Sequence, residues 1–216
     1  MVPSFVLHDS LLVSKLTAFV EQGGTVVATA RTAIRDRRNQ ALAQTPPGGL
    51  AHVFGASVEE FGRLEPQAPL SISGDRQIPH GGAYEVLKPS GAQVIATWSV
   101  SDGTSWAAHD QPAITLNLFQ TGRALLVGTY LTGDNIGSIF DLVLAHSSVA
   151  PLGNADEYVE IGYRFAEGRN LCFVLNHYGK TKSVSRLPQG VDLITGQACT
   201  GQLELPPYGA AVIDAV

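Results

Sequence analysis

Charge is scarce in this chain: 15% of its 216 residues are Asp, Glu, Lys or Arg. Sulfur is scarcer still, with two cysteines and one methionine. Cys172 and Cys199 are too few and too far apart in sequence for a disulfide framework or a Cys-based metal site. No apolar run approaches the roughly 20 residues needed to span a bilayer. The N-terminus also lacks the charged segment, apolar stretch and small-residue cleavage site of a leader. The chain is therefore expected to be soluble and cytoplasmic, with no membrane partner. Lys plus Arg number 14 against 19 for Asp plus Glu, a net charge of −5. Such a surface repels a polyanion unless its bases gather on one face. The densest gathering is Arg31, Arg35, Arg37 and Arg38, with Glu59, Glu60, Glu65 and Asp75 close behind. A nucleic-acid partner is not expected.

What is abundant is hydrophobic residue, at 44%, enough for a real core in a chain of this length. Val2 to Leu7 is expected to be a short strand. His8-Asp9-Ser10 then offers an N-cap, and Leu12, Leu16, Phe19 and Val20 fall on one helical face. Gly23-Gly24 closes that helix. Thr25 to Ala30 reads as a strand buried on both faces, which is the habit of a parallel sheet. A strand, a helix and a second strand make a right-handed crossover unit. Residues 31 to 47 carry no periodicity. A short helix over Gly48 to Phe54 and an extended segment over Ala56 to Leu64 follow.

From about 69 to 128 the pattern is strand-rich, with strands over Gln93–Val100 and Ala113–Phe119. A turn at Gln120-Thr121-Gly122, its glycine expected at positive φ, leads into a strand over Arg123–Val127. Ile136, Ile139, Phe140, Val143 and Leu144 then mark a helix, with Thr132 or Asp134 placed to cap it. Pro151-Leu152-Gly153-Asn154 reads as a linker, which sets the expected domains at 1–150 and 151–216. Beyond it, Val159, Ile161, Tyr163 and Phe165 alternate with Glu160, Gly162 and Arg164 at period two. Leu171, Phe173 and Leu175 repeat the alternation, and short strands are expected over 182–187, 191–194, 202–205 and 210–214. This is the signature of a small antiparallel β-domain.

Residues that could carry chemistry do not converge. Gly196 to Gly201 surrounds Cys199 with glycine, but a nucleophile elbow needs a strand before it and a helix after it. Here both flanks read as β. His80-Gly81-Gly82 has no nucleophile to serve. The six histidines (His8, His52, His80, His109, His146, His177) occur singly, without metal-ligand spacing, and Asp110 beside His109 sits in a polar loop. Glu59 and Glu60 are adjacent and point to opposite faces of an extended segment. Glu21, Glu85, Asp134 and Asp141 fall in caps, turns or polar helix faces. Gly128-Thr129, between a strand and a helix, lacks the rest of a nucleotide fingerprint. No catalytic, cofactor-binding or metal residue is assigned, and no cofactor is expected.

The order of segments says more than any single motif. Thr32-Ala33-Ile34-Arg35-Asp36 with Asn39, then Pro47-Gly48-Gly49-Leu50, Gly55, Val58 and Glu59, resembles the non-catalytic middle domain of family 42 β-galactosidases. Pro112 to Asn117 and Gly122 to Thr129 continue the similarity in order. Val159-Glu160-Ile161, Phe173 to His177, Asp192 to Gly196 and Leu205 to Gly209 are similar to that family's C-terminal β-domain. The resemblance implies a flavodoxin-like or class I glutamine-amidotransferase-like α/β domain with a parallel sheet, followed by the antiparallel β-domain. It further implies a homo-oligomer, a trimer in that family. The glutamates that cleave the glycosidic bond would then lie in a barrel missing from these residues. It also implies a domain truncated at its N-terminus, because the family has one or two β-α elements before the segment matching Val2–Leu7. The arginine-rich segment is then a packed connection. Two other readings are an amidotransferase-like enzyme using Cys199, and a carbohydrate-binding module displaying Tyr163, Tyr178 or Tyr208.

Overall fold

The computed structural model describes residues 1–147, 149 and 152–215. It divides into two compact units, Met1–Ser148 and Val149–Val216.

In the first unit, α1 (Ser10–Glu21) begins at the N-cap Asp9, whose carboxylate accepts the N–H groups of Leu11 and Leu12. Arg37 donates to the other oxygen of the same carboxylate. That hydrogen bond, followed by the two from the helix, holds the Asp9 pKa below the ordinary range. Gly23, at φ +97, ends the helix, and β1 (Thr25–Thr29) follows. The chain continues through a 3-10 turn, Gly48–Leu50, and α2 (Ala51–Phe54) into β2 (Ala56–Arg63). Then come β3 (Leu70–Ser73), β4 (Gln77–Pro79), β5 (Ala83–Pro89), β6 (Gln93–Val100), β7 (Pro112–Phe119), β8 (Gly122–Val127) and α3 (Ile136–Ala145).

The main sheet has the order β1-β8-β7-β6-β3-β4, and β2 pairs with β5 in a separate ribbon. Among the described residues β1 and β8 are the one parallel strand pair. The others run antiparallel. This corrects the expected flavodoxin-like or amidotransferase-like parallel sheet: the molecule is mostly β. The reason is connection length. A parallel neighbour needs a crossover of a dozen or more residues, whereas Gln120 and Thr121 alone join β7 to β8.

The parallel pair still behaves as a doubly covered sheet. On β1, Val26 and Ala28 enter one core with Val20 of α1, Val53 and Phe54 of α2, and Leu126. Val27 faces the opposite way, into a core with Trp98, Ile114, Leu125, Val127 and Ile139 of α3. Alternate residues of one strand thus feed two cores. Two other expectations fail locally. Val2 to Leu7 forms no strand, only single bridges at Val2–Ala28 and Leu7–Arg35. Pro3 has no N–H to give, and Ser4 at φ +44 turns the chain out of register. Gly122 is not at positive φ; Gln120, at φ +52, takes that strain in the turn. The N-cap position of α3 is Asn135, not the expected Thr132 or Asp134, and the Asn135 side-chain oxygen accepts the Thr132 N–H.

The second unit contains β9 (Asn154–Ala155), β10 (Val159–Ala166), β11 (Arg169–Asn176), β12 (Lys182–Asp192), β13 (Ala198–Leu205) and β14 (Ala210–Ala215). Its antiparallel sheet has the order β10-β11-β14-β12-β13, with β9 paired to β12. Cys172, Val174, Val184, Leu187, Leu205 and Ile213 form its core. Strand β12 runs through the strand expected at 182–187 and into the start of the one expected at 191–194, leaving Leu193 and Ile194 in a turn, and has a register shift between Ser185 and Gln189. Pro151, the first residue of the expected linker, lies outside the described residues, and Asn154, its last, belongs to β9. Among the described residues no helix is long and apolar enough to cross a membrane.

Candidate functional site

At the carboxyl ends of β1 and β8, Arg31, Phe61, Arg63, Tyr84 and Tyr130 line a cleft of about 250 Å³. Arg31 occupies the left-handed region at φ +69. Its guanidinium lies 4.2 Å from the centre of the Phe61 ring, a cation–π contact. Its backbone N–H donates to the Glu85 carboxyl at 2.9 Å. Glu85, on β5, is 2% exposed, which corrects its assignment to a turn or polar face. Burial pushes its pKa from the ordinary 4.5 to about 7, against the pull of the Arg31 N–H and charge. The Glu85 N–H donates to the Gly128 carbonyl at 2.7 Å. Its carbonyl accepts from the indole of the fully buried Trp98 at 2.9 Å.

This is the chemistry of a clamp. The Glu85 carboxyl is committed to a backbone N–H, and the neighbouring Glu60 accepts the Tyr84 hydroxyl at 2.7 Å. That bond, more than the partial burial, raises the Tyr84 pKa. Glu59 lies 3.4 Å from Lys88. The two adjacent carboxylates therefore serve different neighbours and do not face each other across a substrate. His109 and Asp110 are 3.6 Å apart and exposed. Among the described residues no group of three or more His, Cys, Asp or Glu could hold a metal ion.

The arginine-rich segment bonds to neighbours within its own unit while Arg37 and Arg38 stay exposed. Arg37 caps α1 through Asp9, and the Arg35 guanidinium donates to the Asn39 carbonyl at 2.8 Å. The N–H groups of Arg38 and Gln40 donate to Asp36.

In the second unit Cys199 lies inside β13, buried, with the Gln202 carbonyl 3.8 Å from its sulfur. Strand follows it, so the sulfur does not stand at a helix N-terminus. Tyr163 packs on the β core, and burial, followed by the Cys172 contact, pushes its pKa up to about 12. Tyr178 and Tyr208 are exposed, at 37% and 76%. Tyr158, which sequence reasoning missed, is 59% exposed and stacks on Tyr178, with ring centres 5.1 Å apart and planes at 13°. The period-two pattern begins only at Val159, so nothing in the sequence singled Tyr158 out. A polar groove of about 630 Å³ runs over β9, β12 and β13.

Comparison with known proteins places this geometry. The family model described as the β-galactosidase trimerisation domain matches residues 1–150. The model of the β-galactosidase C-terminal domain matches residues 159–215. The chain belongs to the family 42 β-galactosidases. It is 27% identical over 208 residues to β-galactosidase BgaP of Planococcus sp. strain L4, covering 93% of this chain and 30% of that protein. It is 28% identical over 192 residues to a β-galactosidase of Arthrobacter sp., covering 88% of this chain and 26% of that protein. The β-galactosidase of Bacillus circulans sp. alkalophilus shares its fold with a TM-score of 0.84 at 24% identity, over 99% of this chain and 32% of that one. Gan42B, a family 42 β-galactosidase from G. stearothermophilus, gives 0.80 at 24% identity, over 98% and 31%. The chain thus spans 26–30% of the length of these two curated relatives. The parts of the family it matches are the trimerisation and C-terminal domains.

Proposed function

We propose that these residues form the oligomerising scaffold of a β-galactosidase-type glycoside hydrolase and leave bond cleavage to other polypeptide. In this reading residues 1–150 carry the subunit contacts, in a homotrimer, and residues 151–216 form the accessory β-domain. The observation that carries it is the pair of consecutive family matches, to a trimerisation domain and then to a C-terminal domain. The chemistry agrees. Retaining glycosidases need two carboxyl groups about 5–5.5 Å apart across a sugar, whereas Glu59, Glu60 and Glu85 are each engaged by a different neighbour. The setting we infer is cytoplasmic, in accord with two free, buried thiols.

Light scattering on the purified chain tests the assembly, and an aryl β-galactoside assay tests the chemistry. The expected result is a mass three times the 22.8 kDa chain and no hydrolysis. A monomer at every concentration, or turnover of the galactoside by the chain alone, overturns the reading.

A further inference from the structure

Tyr158 and Tyr208 hold their backbones at φ +68 and φ +55, a region that bulky side chains avoid. Strain of this kind persists only where the surroundings over-determine it, and it gathers at binding sites. Here the surroundings are explicit. The Tyr158 carbonyl accepts the His177 N–H at 2.8 Å, and the Tyr208 N–H donates to the Tyr178 carbonyl at 3.1 Å. Beneath them the buried Asn176 side chain donates to the carbonyls of Lys180 and Pro206, each at 2.8 Å. Its oxygen accepts the Tyr178 N–H at 2.9 Å. One amide therefore fastens the turn after β11 to the turn before β14. Gly179 completes the fit: a Cβ there would lie 3.2 Å from the Tyr208 hydroxyl.

The result is a set of displayed rings. Tyr178 is covered by Tyr158 on one side, and the Lys182 ammonium lies 5.1 Å from its ring centre. Tyr158 and Tyr208 keep most of their surface open to solvent. Nearby, Glu160 lies 3.1 Å from His177 and Lys182 lies 3.6 Å from Asp156, while Glu204 adds a carboxylate to the groove, so the site does not suit an anionic ligand. Asp156 also lines the polar groove, together with Ser183, Ser185, Thr200 and Gln202. Lys182 therefore links the aromatic cluster to a groove whose volume falls in the usual range for ligand sites. Its hydroxyl and amide groups suit a ligand rich in hydroxyls, and an apolar peptide would find little to bury there.

We propose that the β unit binds a neutral oligosaccharide, with the C–H face of one sugar stacked on Tyr158 or Tyr208 and adjoining sugars hydrogen-bonded along the groove. Aromatic rings with a polar tip supply both the apolar face and a hydroxyl for such a ligand.

Isothermal titration of the 216-residue chain with β-1,4-galactotetraose and with cellotetraose tests this. The expected result is saturable binding of at least one, with Kd on the order of 0.1–1 mM. The double variant Tyr158→Asn/Tyr208→Asn is expected to weaken binding at least about tenfold. Because Asn tolerates the left-handed region, the same variant is expected to keep or raise the melting temperature, which a misfolded protein would not do. Tyr163→Phe is expected to bind as the parent does. Absence of binding to either sugar at about 10 mM, or unchanged affinity in the double variant, overturns the proposal. So does a fall in light-scattering mass in the double variant without any sugar binding, which would make the rings a contact between copies.

Discussion

The backbone N–H of Arg31 donates to the buried carboxyl of Glu85, a residue 54 positions later, at 2.9 Å. This bond fixes the left-handed exit of β1 against the β2–β5 ribbon. It also holds an ionisable group in a place that disfavours its charge.

Glu85 should make stability fall as pH rises. Its folded pKa, about 7, lies above the ordinary 4.5, so the folded state holds the proton more tightly than the unfolded chain. The contribution is complete below pH 4.5 and is lost as pH climbs through 7, in total about 3 kcal/mol. Glu85→Gln keeps an acceptor for Arg31 but cannot ionise. Denaturant unfolding between pH 4.5 and 8 is expected to show this decline in the parent and its disappearance in the variant.

Gly122 opens β8 against the end of α1, where the Arg123 N–H donates to the Gly24 carbonyl at 3.0 Å. A Cβ on Gly122 would lie 2.0 Å from the Val20 carbonyl oxygen and 2.5 Å from that of Gly24. Both obstacles are backbone, so no rotamer relieves them. Gly122→Ala is expected to cost about 3 kcal/mol or more, seen as a lower urea midpoint with an unchanged slope.

Cys172 and Cys199 are both buried, and burial is the leading cause of the raised Cys172 pKa. A thiol needs its thiolate form and access to react. Neither residue should react with a disulfide reagent in the native chain, and both should react once it is unfolded. Cys199→Ala is expected to cost about 1 kcal/mol, read as a lower urea midpoint.

The periodic elements were legible in the sequence. Leu12, Leu16 and Val20 marked α1, the β7–β8 hairpin stood out from its short turn, and Ile139 with Val143 marked α3. Burial of β1 on both faces was legible too. The parallel pairing inferred from it holds for β1 with β8 and stops there, because the other strands of the sheet pair antiparallel. Glu85 shows a different limit. A carboxylate between Tyr84 and Val86 looks like an outward position, and only the Arg31 N–H and the Trp98 indole, both remote in sequence, explain its burial. The tyrosine cluster was half visible: Tyr178 and Tyr208 drew notice as aromatics, whereas the left-handed backbone that displays Tyr158 has no local sequence signal.

The pairing of β1 with β8 also sets a kinetic order. Thr25 must find Arg123 and Thr29 must find Val127, across about a hundred intervening residues, while β7 and β8 meet through a two-residue turn. Closing so long a loop is slow compared with zipping a hairpin. The N-terminal helix and strand should therefore dock late, onto a β6-β7-β8 meander already in place. Destabilising changes in α1 should then speed unfolding and leave the folding rate nearly untouched.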